Sequence, residues 1–225
     1  MIGRTLPLIL FLLILTAVAV SFPKSGRAQQ PVASHVVPLK QFSPDQRFET
    51  VSGDPTKSGS PYVIRIHAEP GYVIMPHTHP EDENIVVLKG TWSVGMGDRY
   101  RREALETMEV GTYGFVPKRM PHFAFSVTET VLQVHGTGPF TTTWVIPLYE
   151  LTENGVLIST SAAIPGHPTP TSPPNCFELA LGVRVSAKYG EGVVVGAQCT
   201  PGELTQYRIQ TSTGARFWVQ RDELK

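Results

Sequence analysis

Between residues 61 and 150 the chain is cut into short β-type pieces, spaced too closely for long helices to fit between them. YVIRIH (62–67) alternates apolar and polar residues, AEPG (68–71) is a turn, and YVIMPH (72–77) resumes. NIVVLK (84–89) is β-branched and apolar and ends at Gly90; TWSVGM (91–96) follows directly, as in a hairpin. TYGFVP, HFAFSV, TVLQVH and TTTWVIPL read as four more short strands. Residues 98–109, DRYRREALETME, interrupt the run with charge and read as a short helix or an excursion. At least eight short strands without long helices point to an all-β sandwich or barrel over residues 61–158.

The flanks differ in character. Arg4 followed by the apolar run Leu6–Val20 and a small-residue site at Ala28 reads as a signal peptide over residues 1–28. A retained anchor is the alternative, but the run is shorter than the roughly 20 residues a spanning helix takes. The expected location is therefore periplasmic or secreted, with no stable membrane span once the signal is removed. Residues 29–60, rich in Pro, Ser and Gly, read as an N-terminal arm with one or two edge strands. Residues 159–174, STSAAIPGHPTPTSPP, read as a linker. Residues 175–225 carry four or five further short strands with Gly turns and read as a second, smaller barrel. The two cysteines, Cys176 and Cys199, both lie there. Export permits a disulfide, and two buried free thiols are the alternative. Neither sits in a CxxC, which argues against redox catalysis.

The charge balance of 19 basic and 19 acidic residues, with no basic stripe, argues against nucleic acid as a partner. No Ser/His/Asp order, phosphate-binding glycine loop or HExxH is present.

The segment GYVIMPHTHPEDENIVVLKG (71–90) concentrates chemistry. In a strand, residues i and i+2 face the same way, with Cα atoms roughly 6.5–7 Å apart. His77 and His79 would then present two imidazoles that converge on one ion. A bend at Pro80 would bring Glu83 to the same ion, whereas Glu81 and Asp82 fall in the turn. A polar loop is the plainer reading of the same residues. His122, after a proline-bounded turn in GTYGFVPKRMPHFAFS (111–126), is a further candidate ligand.

These residues resemble the cupin superfamily. Its first motif is G, five residues, H, one residue, H, three or four residues, E, six residues, G. Gly71, His77, His79, Glu83 and Gly90 fit every position. In its second motif Gly111, Pro117 and His122 fit, while Arg119 stands for a glycine and Ser126 for an asparagine. The resemblance covers roughly residues 61–150 and implies a cupin-type jelly-roll barrel. It also implies one divalent transition metal, Fe, Mn or Zn, on His77, His79, Glu83 and His122. The C-terminal residues are similar, more loosely, to a five-stranded Tudor-like barrel through Gly182, Val185, Ala187, Tyr189, Phe217 and Trp218.

Strand alternation adds Gln133 and His135 as a candidate substrate pocket, and places Arg65 and His67 together on a face read as solvent-exposed. Trp92, Phe123 and Phe125 read as core. The expected function is an exported metal-binding cupin-domain protein, a metal-dependent oxidoreductase of dioxygenase type acting on a small molecule. The alternative is a non-catalytic, metal-stabilised module that binds a small molecule and is localised by its C-terminal barrel. A metal-free structural cupin is a third reading, and a homodimer is what the resemblance implies.

Overall fold

A computed structural model describes residues 36–43, 46–159 and 176–225. The expected signal peptide, the arm up to residue 35 and all but the first residue of the expected linker lie outside the described residues. All the strands fall in one compact unit, Leu39–Lys225.

The first ten strands make two five-stranded antiparallel sheets. They are β1 (Phe48–Gly53), β2 (Pro61–Ala68), β3 (Val73–Thr78), β4 (Glu83–Lys89), β5 (Trp92–Met96), β6 (Glu106–Met108), β7 (Tyr113–Val116), β8 (His122–Ser126), β9 (Thr130–Thr137) and β10 (Thr143–Trp144). One sheet runs β1-β2-β9-β4-β7 and the other β10-β3-β8-β5-β6. Their inner faces interdigitate as a sandwich core. Ile64, Ile85, Leu132 and Val134 of the first sheet meet Trp92 and Ala124 of the second. The charged stretch 98–109 becomes a single 3-10 turn, Arg102–Ala104, followed by β6. β1 pairs with β2, so the arm contributes a strand to the barrel.

One irregularity positions the site. β3 pairs with β8 as Val73↔Phe125 and Ile74↔Ala124, then slips so that His77 faces His122. Met75 and Pro76 together oppose Phe123 alone, which is a bulge of one residue. Pro76 has no N–H to give to a ladder, so the bulge falls where pairing is already weakened. Its effect is a change of parity. Ile74 faces the barrel interior before the bulge, and His77 faces it after.

The third sheet has six strands: β11 (Leu148–Thr152), β12 (Gly155–Ser159), β13 (Arg184–Ala187), β14 (Gly190–Thr200), β15 (Leu204–Gln210) and β16 (Arg216–Gln220). They run β12-β11-β14-β15-β16, with β13 on β14. Where the residues suggested a five-stranded small barrel, the fold is a six-stranded sheet that takes in the β11–β12 hairpin from before the linker. Tyr149, buried and paired with Cys199, belongs to this sheet. Pairing between segments fifty residues apart leaves no local trace in sequence. One face of the sheet packs Val194, Tyr207, Ile209, Phe217 and Val219 into its own core.

The other face grips the barrel. Arg208 makes a two-pronged ion pair with Glu69, and the Trp218 amide donates to the Pro70 carbonyl at 2.8 Å. The Gln206 carboxamide donates to the Val73 carbonyl at 2.7 Å and accepts from the Val73 amide at 3.0 Å. It thereby replaces a neighbouring strand at the edge of β3. Gly71, with φ +81, lies so near the Trp218 carbonyl that a Cβ would sit 2.0 Å from its oxygen. Only glycine fits there. The Cys176–Cys199 disulfide forms, tying residue 176 to β14.

Candidate metal centre

His77 lies near the end of β3 and His122 begins β8, directly opposite each other, with ring centroids 4.1 Å apart. His79 follows in the next turn, 4.9 Å from His77 and 5.3 Å from His122. One ring nitrogen from each of the three lies within 4.8 Å of the others. Glu83 opens β4 on the facing sheet; its Oε2 is 3.3 Å from His122 Nε2 and 3.8 Å from His79 Nε2. All four side chains are buried.

The tautomers follow from hydrogen bonding. His77 Nδ1 contacts the Met75 carbonyl at 2.8 Å, His79 Nδ1 the Thr141 carbonyl at 2.8 Å, and His122 Nδ1 the Met120 carbonyl at 3.0 Å. A carbonyl oxygen only accepts, so each Nδ1 carries the hydrogen and donates it. In the neutral ring that leaves Nε2 with a lone pair. Backbone acceptors of this kind fix the rings of metal-binding histidines and raise their basicity. Burial holds His77 well below the usual imidazole range, reinforced by the neighbouring His122 and His79. Burial also lowers His79, partly opposed by the Glu83 carboxylate and the Thr141 carbonyl.

Three ring nitrogens and a carboxylate therefore converge. A neutral imidazole nitrogen and a carboxylate oxygen at 3.3 Å repel unless a cation lies between them. Three imidazoles and a carboxylate suit a divalent transition metal. The donor set fits the ion that the spacing led us to expect.

The four groups sit at one end of a cavity of about 150 Å³. Its walls include Ile66, Ile74, Ile85, Trp92 and Leu132. Tyr72, Phe140 and Trp144 also line it, and none of the three was singled out in the sequence. Phe140 stacks on His79 at 4.6 Å and Trp144 lies 5.4 Å from His77. Phe140 comes from a loop and Trp144 from a two-residue strand paired with His77 and Thr78. Nothing local marks either as part of a site.

Gln133 and His135 do share a face of β9, but not the one that lines the cavity. Leu132 lines it, and Val134 is in the same core. Alternation settles which residues go together, and the apolar pair takes the interior because that burial is favourable. The candidate substrate pair is corrected accordingly: Gln133 and His135 lie on the outside of the first sheet. Arg65 and His67 also face outward, yet they are not left to solvent. Arg65 is buried 3.6 Å from Glu49, while His67 meets Glu129 at 3.0 Å and stacks on Phe42. Trp92 is both core and cavity wall, whereas Phe123 and Phe125 are buried away from the cavity lining.

The second motif explains itself at Arg119. Its φ is +60, the left-handed conformation that a glycine would supply, and its amide donates to the His79 carbonyl at 2.7 Å. The turn keeps its shape without the glycine and ties the His122 segment to the His79 segment. The Arg119 side chain is exposed.

Residues 32–141 match the family model of the ChrR cupin-like domain. The chain carries a cupin-superfamily domain. No curated protein matches the chain in sequence. Solved structures similar to it include a conserved protein with a double-stranded β-helix domain from Klebsiella pneumoniae. That one is 18% identical over 46% of this chain and 87% of that chain, with a TM-score of 0.35. An RmlC-like cupin protein from Desulfovibrio desulfuricans is 24% identical over 46% of this chain and 94% of that chain, with a TM-score of 0.35. Salicylate 1,2-dioxygenase from Pseudoaminobacter salicylatoxidans is 16% identical over 35% of this chain and 22% of that chain, with a TM-score of 0.31. In the cupin domain described here, the second motif's Ser126 is fully buried. Its amide donates to the Tyr72 carbonyl at 2.8 Å and its hydroxyl to the Thr128 carbonyl at 2.6 Å.

Proposed function

We propose that His77, His79, Glu83 and His122 hold one divalent transition metal, and that the protein is an exported oxidoreductase of dioxygenase type acting on a small molecule in the adjoining cavity. The observation that carries this reading is the convergence of three buried imidazoles and a buried carboxylate at one end of a largely apolar cavity. Iron or manganese at such a site supplies one-electron chemistry, and zinc only Lewis acidity. The chain's own part is to hold the Nε2 lone pairs aimed by the three carbonyl bonds. The apolar walls keep water from the ligand. Low polarity around the site strengthens each electrostatic contact made inside it.

Export rests on the N-terminal signal pattern, and the Cys176–Cys199 disulfide suits an oxidising compartment, periplasmic or extracellular. A homodimer belongs to the same reading. β7 is the edge of the first sheet, with Tyr113 and Phe115 exposed on it. Sedimentation of the purified protein tests that point.

The central test is elemental analysis of untagged protein beside His77→Ala, followed by oxygen-uptake assays with small molecules. Iron or manganese near one per chain, lost in the variant together with oxygen uptake, is expected. A variant that keeps its metal or full turnover removes the reading. Metal at one per chain with no product from any compound offered replaces the enzyme with the non-catalytic binding module.

A further inference from the structure

The cavity next to the four ligands is small and its chemistry is one-sided. Strand register sets its depth. On β8, His122 is followed inward by Ala124; on β5 their partners are Met96 and Val94, with Trp92 opposite Ser126. On β4, Glu83 is followed by Ile85. On β9, Leu132 lies opposite Ile66 of β2. The four candidate ligands thus gather at the His77–His122 end, and Trp92, whose buried indole N–H has no partner among the described residues, stands with Leu132 and Ile66 at the far end.

No lysine or arginine lines the cavity among the described residues. Arg65, a cationic side chain on β2, points to the outer face and is engaged with Glu49. Glu83 is the one acidic residue in the lining. A charge on the far part of a ligand would meet no counter-charge, and burying it so is unfavourable. Size limits the ligand further. An apolar cavity of about 150 Å³ accommodates a single benzene ring.

We propose that the cavity takes a molecule with one oxygen-donor head directed at the four ligands and an uncharged, apolar body no larger than one six-membered ring. The head rests on the metal reading above; the body rests on the cavity alone.

The test separates the two. Metal content is measured first, by elemental analysis. The unaltered, metal-loaded protein is then titrated calorimetrically with 4-methylphenol, 4-hydroxybenzoate and 1-naphthol, which share a phenolic head. The expected result is binding of 4-methylphenol, at least tenfold weaker binding of 4-hydroxybenzoate, and no binding of 1-naphthol. Leu132→Trp, which fills the far end, is expected to abolish 4-methylphenol binding while metal content stays at one per chain. Equal binding of 4-hydroxybenzoate, measurable binding of 1-naphthol, or failure of 4-methylphenol to bind metal-loaded protein overturns the proposal and leaves the metal reading standing. Protein without metal that still takes benzene, detected by ligand NMR and lost in Leu132→Trp, overturns the metal reading and the oxygen head with it. The apolar body would then stand alone.

Discussion

At the scale of single residues, the site combines aimed lone pairs with histidines that burial keeps neutral. His77 and His79 are both lowered by burial, so the metal-free folded chain binds fewer protons at them than the unfolded chain, whose imidazoles titrate near 6.5. The stability contributed by keeping them neutral is complete above about pH 6.5 and declines as pH falls below it. Metal-free protein should therefore melt at a lower temperature at about pH 5.5 than at about pH 7.5, and a His77→Gln/His79→Gln variant should show a smaller drop. A melting temperature that is flat or rises on acidification contradicts this. Arg119 gives a second residue-scale prediction. A non-glycine residue in the left-handed region costs roughly 1–2 kcal/mol, against which glycine's greater freedom in the unfolded chain costs about 0.4–1 kcal/mol. Arg119→Gly should thus stabilise by up to about 1.5 kcal/mol, or at most roughly 3–6 °C in Tm for a chain of this size. Calorimetry resolves a shift of that size, and a decrease in Tm would count against the strain at this turn.

Elements meet through two devices, a bulge and a substitute strand. The bulge at Met75 and Pro76 turns β3 so that Ile74 and His77 both face inward. Gln206, fully buried, completes the hydrogen bonding of Val73 at the opposite end of the same strand. Replacing Gln206 with Leu keeps the volume close but strands one buried N–H and one buried C=O, each costing about 1–3 kcal/mol. We expect Gln206→Leu to lower unfolding stability by about 2–4 kcal/mol in urea denaturation. A loss within about 0.5 kcal/mol would mean that β3 finds other partners. The same contact joins the third sheet to the strand that carries His77, so the C-terminal part is a structural support of the site's own strand.

For the whole molecule, the barrel contains all four candidate ligands and the third sheet contains the disulfide. Cys176 and Cys199 enclose a loop with a sequence separation of 23. Closing a loop of that length stabilises by about 3 kcal/mol through the unfolded state. Reduction should lower Tm by several degrees and leave metal content unchanged, since no ligand lies in the third sheet. Melting curves and elemental analysis with and without reductant check both halves; loss of metal on reduction would tie the site to the third sheet more tightly than its contacts indicate.

The sequence by itself determined the β class, most strands of the barrel and His77, His79 and Glu83 as candidate ligands, with His122 added by the family resemblance. These are local properties: i and i+2 share a face of any strand, and the glycine, histidine and glutamate spacings of residues 71–90 lie within one β-turn-β passage. Only the tertiary structure decided which face is inside. Gln133 and His135 are partners by alternation, but the burial of Leu132 and Val134 sends them outward. Only the fold brought Phe140 and Trp144 onto the histidines, paired β11 with β14, and closed Cys176 onto Cys199. In each of these cases the deciding contact joins residues far apart in the chain, and a local pattern holds no record of what will pack against it.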